Sequence, residues 1–236
     1  MQVVTETLAV VIRHDKTEAD ALQLGVRFDA AGAVLPDGGC ALIAPTWALT
    51  AAHVAAGLSA DSIVRFAHRD YAVKRTIIHP EGAVRAGAPP EVDLALLELS
   101  TPVTGVTPFG LYRDRDELGQ VLVIVGTGDF ARAGMPWIRA DGRRRAVTNR
   151  VDDAGPRRLF LKFDMGDAAT EFEGIGGPGD SGGPAVIERR GTRLVAGISS
   201  GSMGKPGQYG ATDVFTRVSS YIEWIETSMR PVPFNR

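Results

Sequence analysis

Glycine and proline cut this chain into pieces too short for long helices. Its 236 residues hold 28 glycines and 14 prolines. Apolar or alternating segments run only briefly between turns. They are Leu8–Ile12, Gln23–Phe28, Cys40–Ala44, Ile63–Phe66, Tyr71–Ile78, Leu94–Leu99, Val121–Val125, Leu159–Phe163, Ala185–Glu188 and Leu194–Ser199. Their length, β-branched content and punctuation predict strands of a barrel or sandwich. The C-terminus is the exception. Ser220-Tyr221-Ile222-Glu223 has the spacing of a capping box, and Tyr221, Ile222, Ile225 and Met229 then share one face. A terminal helix packed on an all-β body is expected.

A chain of this length can bury a full core as one large all-β domain, and no repeat or linker divides it. The apolar segments form two halves, roughly 12–110 and 111–218, followed by a helix over 219–230. Charge is nearly balanced, 26 basic against 28 acidic residues, which gives no electrostatic case for a nucleic-acid partner. Arg143-Arg144-Arg145 beside Asp141-Gly142 reads as a turn with solvated charges. Cys40 is the only cysteine, so no intrachain disulfide can form. No apolar run approaches the roughly 18–20 residues that span a bilayer. Met1–Thr7 lacks the basic and apolar regions of a signal peptide.

Chemistry concentrates in three places. Gly179-Asp180-Ser181-Gly182-Gly183-Pro184 sets a serine on a glycine-rich turn; Leu49-Thr50-Ala51-Ala52-His53 ends in a histidine; Asp93 heads the run Leu94–Leu99. A serine hydroxyl is a poor nucleophile at neutral pH and needs an adjacent base, a task suited to the His53 imidazole. A carboxylate, Asp93, would fix the histidine tautomer and stabilise the imidazolium. The amides of Gly179 and Ser181 could serve a tetrahedral oxyanion, since glycine at 179 permits the required turn. The same five residues fit the G-x-S-x-G elbow of α/β-hydrolases, but that fold needs its histidine after the serine. His14, His53, His68 and His79 all precede Ser181, so that reading fails on order. His14, His68 and His79 read as structural or solvated. No histidine pair, acidic loop or cysteine partner suggests a metal, and no cofactor is expected.

These motifs resemble those of the chymotrypsin (trypsin-like) serine protease family. Weaker echoes are Ile78-His79-Pro80 and the tail Val214-Phe215-Thr216-Arg217-Val218 followed by Tyr221-Ile222-Glu223-Trp224-Ile225. The resemblance implies two six-stranded antiparallel β-barrels with a C-terminal α-helix and a cleft between them. It implies His53 as general base, Asp93 as its orienting partner and Ser181 as the nucleophile of a serine endopeptidase. A protein or peptide substrate follows; the resemblance favours a secreted or periplasmic location, while the lack of a signal peptide in Met1–Thr7 leaves a cytoplasmic one open. Two alternatives stand beside it: a catalytically silent protease-like binding protein, and an esterase using the same triad.

The resemblance also implies how substrate is held. Ile198-Ser199-Ser200-Gly201 is similar to the strand that lines the primary pocket, with Ser200 (or Ser199, if the alignment slips) supporting Asp93 and Gly201 bonding the peptide. Ile175 falls at the pocket floor and Asp213 on the opposite wall, where a carboxylate could attract lysine or arginine. Family disulfides are missing, with Val54 where a partner for Cys40 would stand. Activation is open between two routes. Either Ile12 is a processed terminus whose ammonium pairs with Asp180, or Asp180 finds another cation or polar partner.

Overall fold

The computed structural model describes residues 10–59, 61–82, 91–136, 138, 140–177, 179–205 and 207–230. A short strand β1 (Val11–Ile12) leads into helix α1 (Glu18–Gly25). Next come β2 (Ala31–Val34), β3 (Gly39–Ala44), β4 (Trp47–Thr50), a single helical turn α2 (Ala52–Ala55), β5 (Ile63–Phe66), β6 (Arg69–Ile78) and β7 (Ala95–Leu99). Strands β2 to β7 close into a barrel in the order β2-β3-β4-β7-β6-β5. Leu42, Leu49, Phe66, Leu96 and Leu97 are fully or almost fully buried; consecutive residues such as Leu96 and Leu97 face opposite sides of β7, so both faces of the strand are covered. This core explains why the fold can stand without disulfides.

The second half comprises β8 (Gly110–Leu111), β9 (Val121–Gly126), β10 (Ala131–Arg132), β11 (Arg145–Arg150), β12 (Asp153–Ala154), β13 (Arg158–Lys162), β14 (Gly174–Ile175), β15 (Pro184–Arg189), β16 (Thr192–Met203) and β17 (Thr212–Arg217). It does not form the closed six-stranded barrel that the resemblance implies. It is an eight-stranded curled sheet ordered β11-β9-β15-β16-β17-β13-β12, with β8 beside β16. The difference lies between β11 and β13, which share no strand pairing. Asn149 of β11 donates its side-chain amide to Lys162 O at 3.0 Å and Gly174 O at 2.8 Å. A side chain thus stands where a backbone ladder would close the barrel, and β12 occupies the edge of β13.

Helix α3 (Ile222–Ser228) ends the described chain. Tyr221 and Ile225 are buried, and Ile222 and Met229 pack on the same apolar cluster. That cluster combines barrel residues with Val186, Val195 and Ile198 of the second sheet, so the halves share a core.

Four local expectations are corrected. Gln23–Phe28 is not a strand, because Thr17 and Asp20 form a capping box that starts α1 upstream. The capping box expected at Ser220 is absent: Ser220 Oγ donates to Pro156 O at 2.6 Å, and Tyr221 occupies the N-cap without a side-chain bond. Arg145 is not solvated; it is almost wholly buried on β11 and pairs with Glu18 of α1 and with Asp141. Of the segment Leu8–Ile12, only Val11–Ile12 forms a strand, and residues 8 and 9 lie outside the described residues. No helix among the described residues is long and apolar enough to cross a membrane.

Candidate active site

Strand register brings the first two groups together. β4 and β7 are antiparallel neighbours, with Thr50 opposite Ala95. The residues just after β4 and just before β7 therefore emerge at the same barrel end. His53 lies there in α2, and Asp93 precedes β7. His53 Nδ1 and Asp93 Oδ2 are 2.7 Å apart, and the His53 amide donates to Asp93 Oδ1 at 3.0 Å. The carboxylate is 2% exposed and the imidazole 31%, so the pair is sealed on the acid side and open on the other. A hydrogen on Nδ1 leaves Nε2 free to accept a proton.

The second sheet completes the support of Asp93. A β-bulge interrupts the pairing of β16 with β17 between Ser199 and Gly201. The extra residue, Ser200, turns out of the strand's alternation, and its Oγ donates to Asp93 Oδ2 at 2.7 Å. The bond comes from Ser200 rather than from Ser199. Thr216 Oγ1 of β17 donates to Asp93 O at 2.8 Å, a contact for which the sequence offers only a hydroxyl in an apolar strand. Burial pushes the Asp93 carboxyl up. Hydrogen bonds and charge from His53, with the Ser200 hydroxyl, more than offset this and hold it below its ordinary value.

The serine loop is fastened to both halves. Ser181 O accepts from the Gly39 amide at 2.7 Å, while the Gly182 amide donates to Ser199 O at 2.9 Å. Gly182 has φ +82°, and a Cβ there would sit 2.2 Å from Thr50 Oγ1 and 3.0 Å from the Ala51 amide. Only glycine allows this approach to the segment that carries His53. Gly179 has φ +91°. Among the described residues, the amides of Gly179 and Ser181 donate to no main-chain acceptor, and no hydrogen bond joins the Ser181 hydroxyl to His53.

A family model described as Trypsin matches residues 23–225. The chain belongs to the trypsin family of serine proteases. It is 28% identical over 218 residues to vitamin K-dependent protein C of Rattus norvegicus, covering 80% of this chain and 45% of that protein. The Mus musculus protein C gives 28% over 219 residues with the same coverage. The chain thus spans under half the length of these curated relatives. Among solved structures, neuropsin, a serine protease expressed in the limbic system of mouse brain, superposes with a TM-score of 0.69 at 18% identity. That match covers 93% of this chain and all of the other, and shows the fold.

In this trypsin-family chain the remaining candidates fall as follows. Asp213 on β17 is buried, and its Oδ2 accepts from the Gly176 amide at 2.6 Å. Burial raises its pKa well above normal, and the nearby Asp180 pushes the same way. Ile175 packs in an apolar cluster with Val11, Phe163 and Ala211. Gly201 is exposed, with open space beside it. Asp180 is fully buried and accepts from the Gly128 amide at 3.2 Å and, more distantly, from Gly177 at 3.4 Å. Burial lifts its pKa to about 7. No ion pair involves Asp180 among the described residues. Ile12 is held in β1 between Arg132 and Gly174. Cys40 is buried, and burial raises its thiol pKa far enough to keep it inert. His14 contacts Tyr209, and His79 packs on Tyr221 and Trp224.

Proposed function

We propose that this chain is a serine endopeptidase in which Ser181 is the nucleophile, His53 the general base and Asp93 its orienting carboxylate. In this mechanism His53 Nε2 takes the Ser181 proton as Oγ attacks the peptide carbonyl. Asp93 steadies the imidazolium through Nδ1. The amides of Gly179 and Ser181 receive the tetrahedral oxyanion. His53 then protonates the leaving amine, and water, activated by the same imidazole, releases the acyl group from Ser181. The observation that carries this reading is Asp93, buried yet anionic and gripped at once by His53 and Ser200. Keeping a buried carboxylate ionised beside a half-open histidine has a clear catalytic use.

For the residue before the scissile bond we propose lysine or arginine, received by Asp213. Supporting this is a buried carboxyl with a single hydrogen-bond donor among the described residues, the amide of Gly176, which has no side chain to fill the space beside it. Gly201 at the rim would bond the extended peptide. A fluorophosphonate probe tests the nucleophile: it should label the wild type and not Ser181→Ala. Labelling that persists in the variant would displace Ser181, and an unlabelled wild type would favour a silent binding protein. A peptide-library digest then separates peptidase from esterase.

A further inference from the structure

A cavity of about 660 Å³ opens beside the serine loop, with Gly179 but not Asp213 in its lining. Gly179 forms one wall, and Asp37 and Gly38 of the loop between β2 and β3 form another. Gly38 is followed by Gly39, whose amide holds Ser181 O. In the peptidase reading, a peptide held by Gly201 of β16 before the bond and crossing Ser181 runs on past Gly179 into this cavity. The volume suits a few residues of chain.

The charges around the cavity are unevenly matched. Arg65 is paired with Asp70 at 2.5 and 2.9 Å. Asp141 is held by Arg145 at 2.9 and 3.0 Å and by the Arg143 amide. The Arg143 guanidinium approaches Asp141 only to 3.9 Å and is mostly exposed. Arg144 differs from all of these. It lines the cavity, its Nε donates to Ala31 O at 3.0 Å, and its terminal nitrogens have no hydrogen bond or ion pair among the described residues. Burial depresses its pKa, and Asp29 acts on it only at a distance. A half-buried guanidinium with open donors is a strong demand for an anion. Asp37 is the opposing charge, exposed at the rim and felt by His53; it sits at the catalytic end, so the anion belongs deeper.

We propose that this cavity takes the peptide segment after the scissile bond and selects an acidic side chain there through Arg144. The claim rests on the peptidase reading above. The rim offers a second sign of specialisation. Ala67 and His68 make the two-residue turn between β5 and β6 with φ of +45° and +66° and line the same cavity. Such turns normally take asparagine or glycine, and strain of this kind gathers where a surface is shaped for use.

The test uses internally quenched peptides with one residue fixed before the bond and Asp, Glu, Asn or Gln at each of the four positions after it. At one position the acid should exceed its amide by about tenfold in kcat/KM, the scale of one charge-assisted pair. Arg144→Gln should erase that preference, and Arg144→Lys should keep part of it. Both should still hydrolyse a chromogenic amide with no peptide after the bond, which certifies the fold. Equal rates for acid and amide at all four positions, or a preference that survives Arg144→Gln, overturns the proposal. Binding of a fluorescent acidic peptide and its amide counterpart to Ser181→Ala, read by anisotropy, separates the two layers. Binding that needs Arg144, without hydrolysis by the wild type, would overturn the peptidase reading and leave the acid-selective cavity. Hydrolysis without discrimination would do the reverse, and loss of both would remove both.

Discussion

Replacing Asp180 by asparagine should change how stability depends on pH. Asp180 is 1% exposed and, among the described residues, accepts hydrogen bonds only from backbone amides; burial outweighs those bonds and the charge of Arg145 and lifts its pKa from 3.8 to about 7. Between those values the native state keeps a proton that the unfolded chain has released. Stability therefore falls as pH rises from about 4 to about 7. At about 1.4 kcal/mol per pH unit, the interval corresponds to about 4 kcal/mol, fully developed above pH 7. Asparagine stays neutral and keeps the acceptor for Gly128. It turns an amide hydrogen toward the Gly177 N–H, at a cost of about 1 kcal/mol. Asp213 titrates in both proteins and loses the repulsion of Asp180 in the variant, which adds to the gain at high pH. Urea unfolding at several pH values should find Asp180→Asn more stable by about 3 kcal/mol at pH 8 and level with the wild type, or slightly below it, near pH 4. Parallel curves for the two proteins would mean that Asp180 already has a cation, and the reasoning from burial would be wrong.

Three further outcomes follow from the same geometry. Gly126→Ala would set a Cβ 1.8 Å from Asp180 Oδ1; it should cost about 3 kcal/mol by thermal unfolding and be partly rescued by Asp180→Ala, and additivity in the double variant would contradict the contact. Glu117→Gln leaves Arg217 buried without the carboxylate that pairs with it; the loss should be about 3–5 kcal/mol in urea unfolding, and a loss below about 1 would deny that pair its structural role. Asp213→Asn should reduce kcat/KM for lysine and arginine substrates by at least about tenfold while sparing apolar ones. In the wild type the basic substrates should improve as pH rises and Asp213 sheds its proton; an unchanged profile would remove Asp213 from substrate recognition.

The chain alone set its fold class and the reactive groups it carries. Glycine and proline spacing limited it to short strands, and β3, β5, β6, β7, β9, β15 and β16 lie close to the segments read from alternation. The Gly179–Pro184 motif, His53 and Asp93 were legible because each combines a reactive side chain with a distinctive local backbone. Register was not legible. Nothing in the sequence says that Thr50 faces Ala95, and the family resemblance points to Ser200 or Ser199 beside Asp93 without the bulge that decides for Ser200, since both depend on pairing between distant strands. The open second sheet was equally hidden: that β11 and β13 stay unpaired is decided only when strands distant in sequence are brought together. Burial was misread for Arg145 because three adjacent arginines look alike until α1 docks on β11 and gives one of them Glu18. Local pattern fixes which groups a chain owns; desolvation and partners, which assign their charge and reach, exist only once the halves are packed.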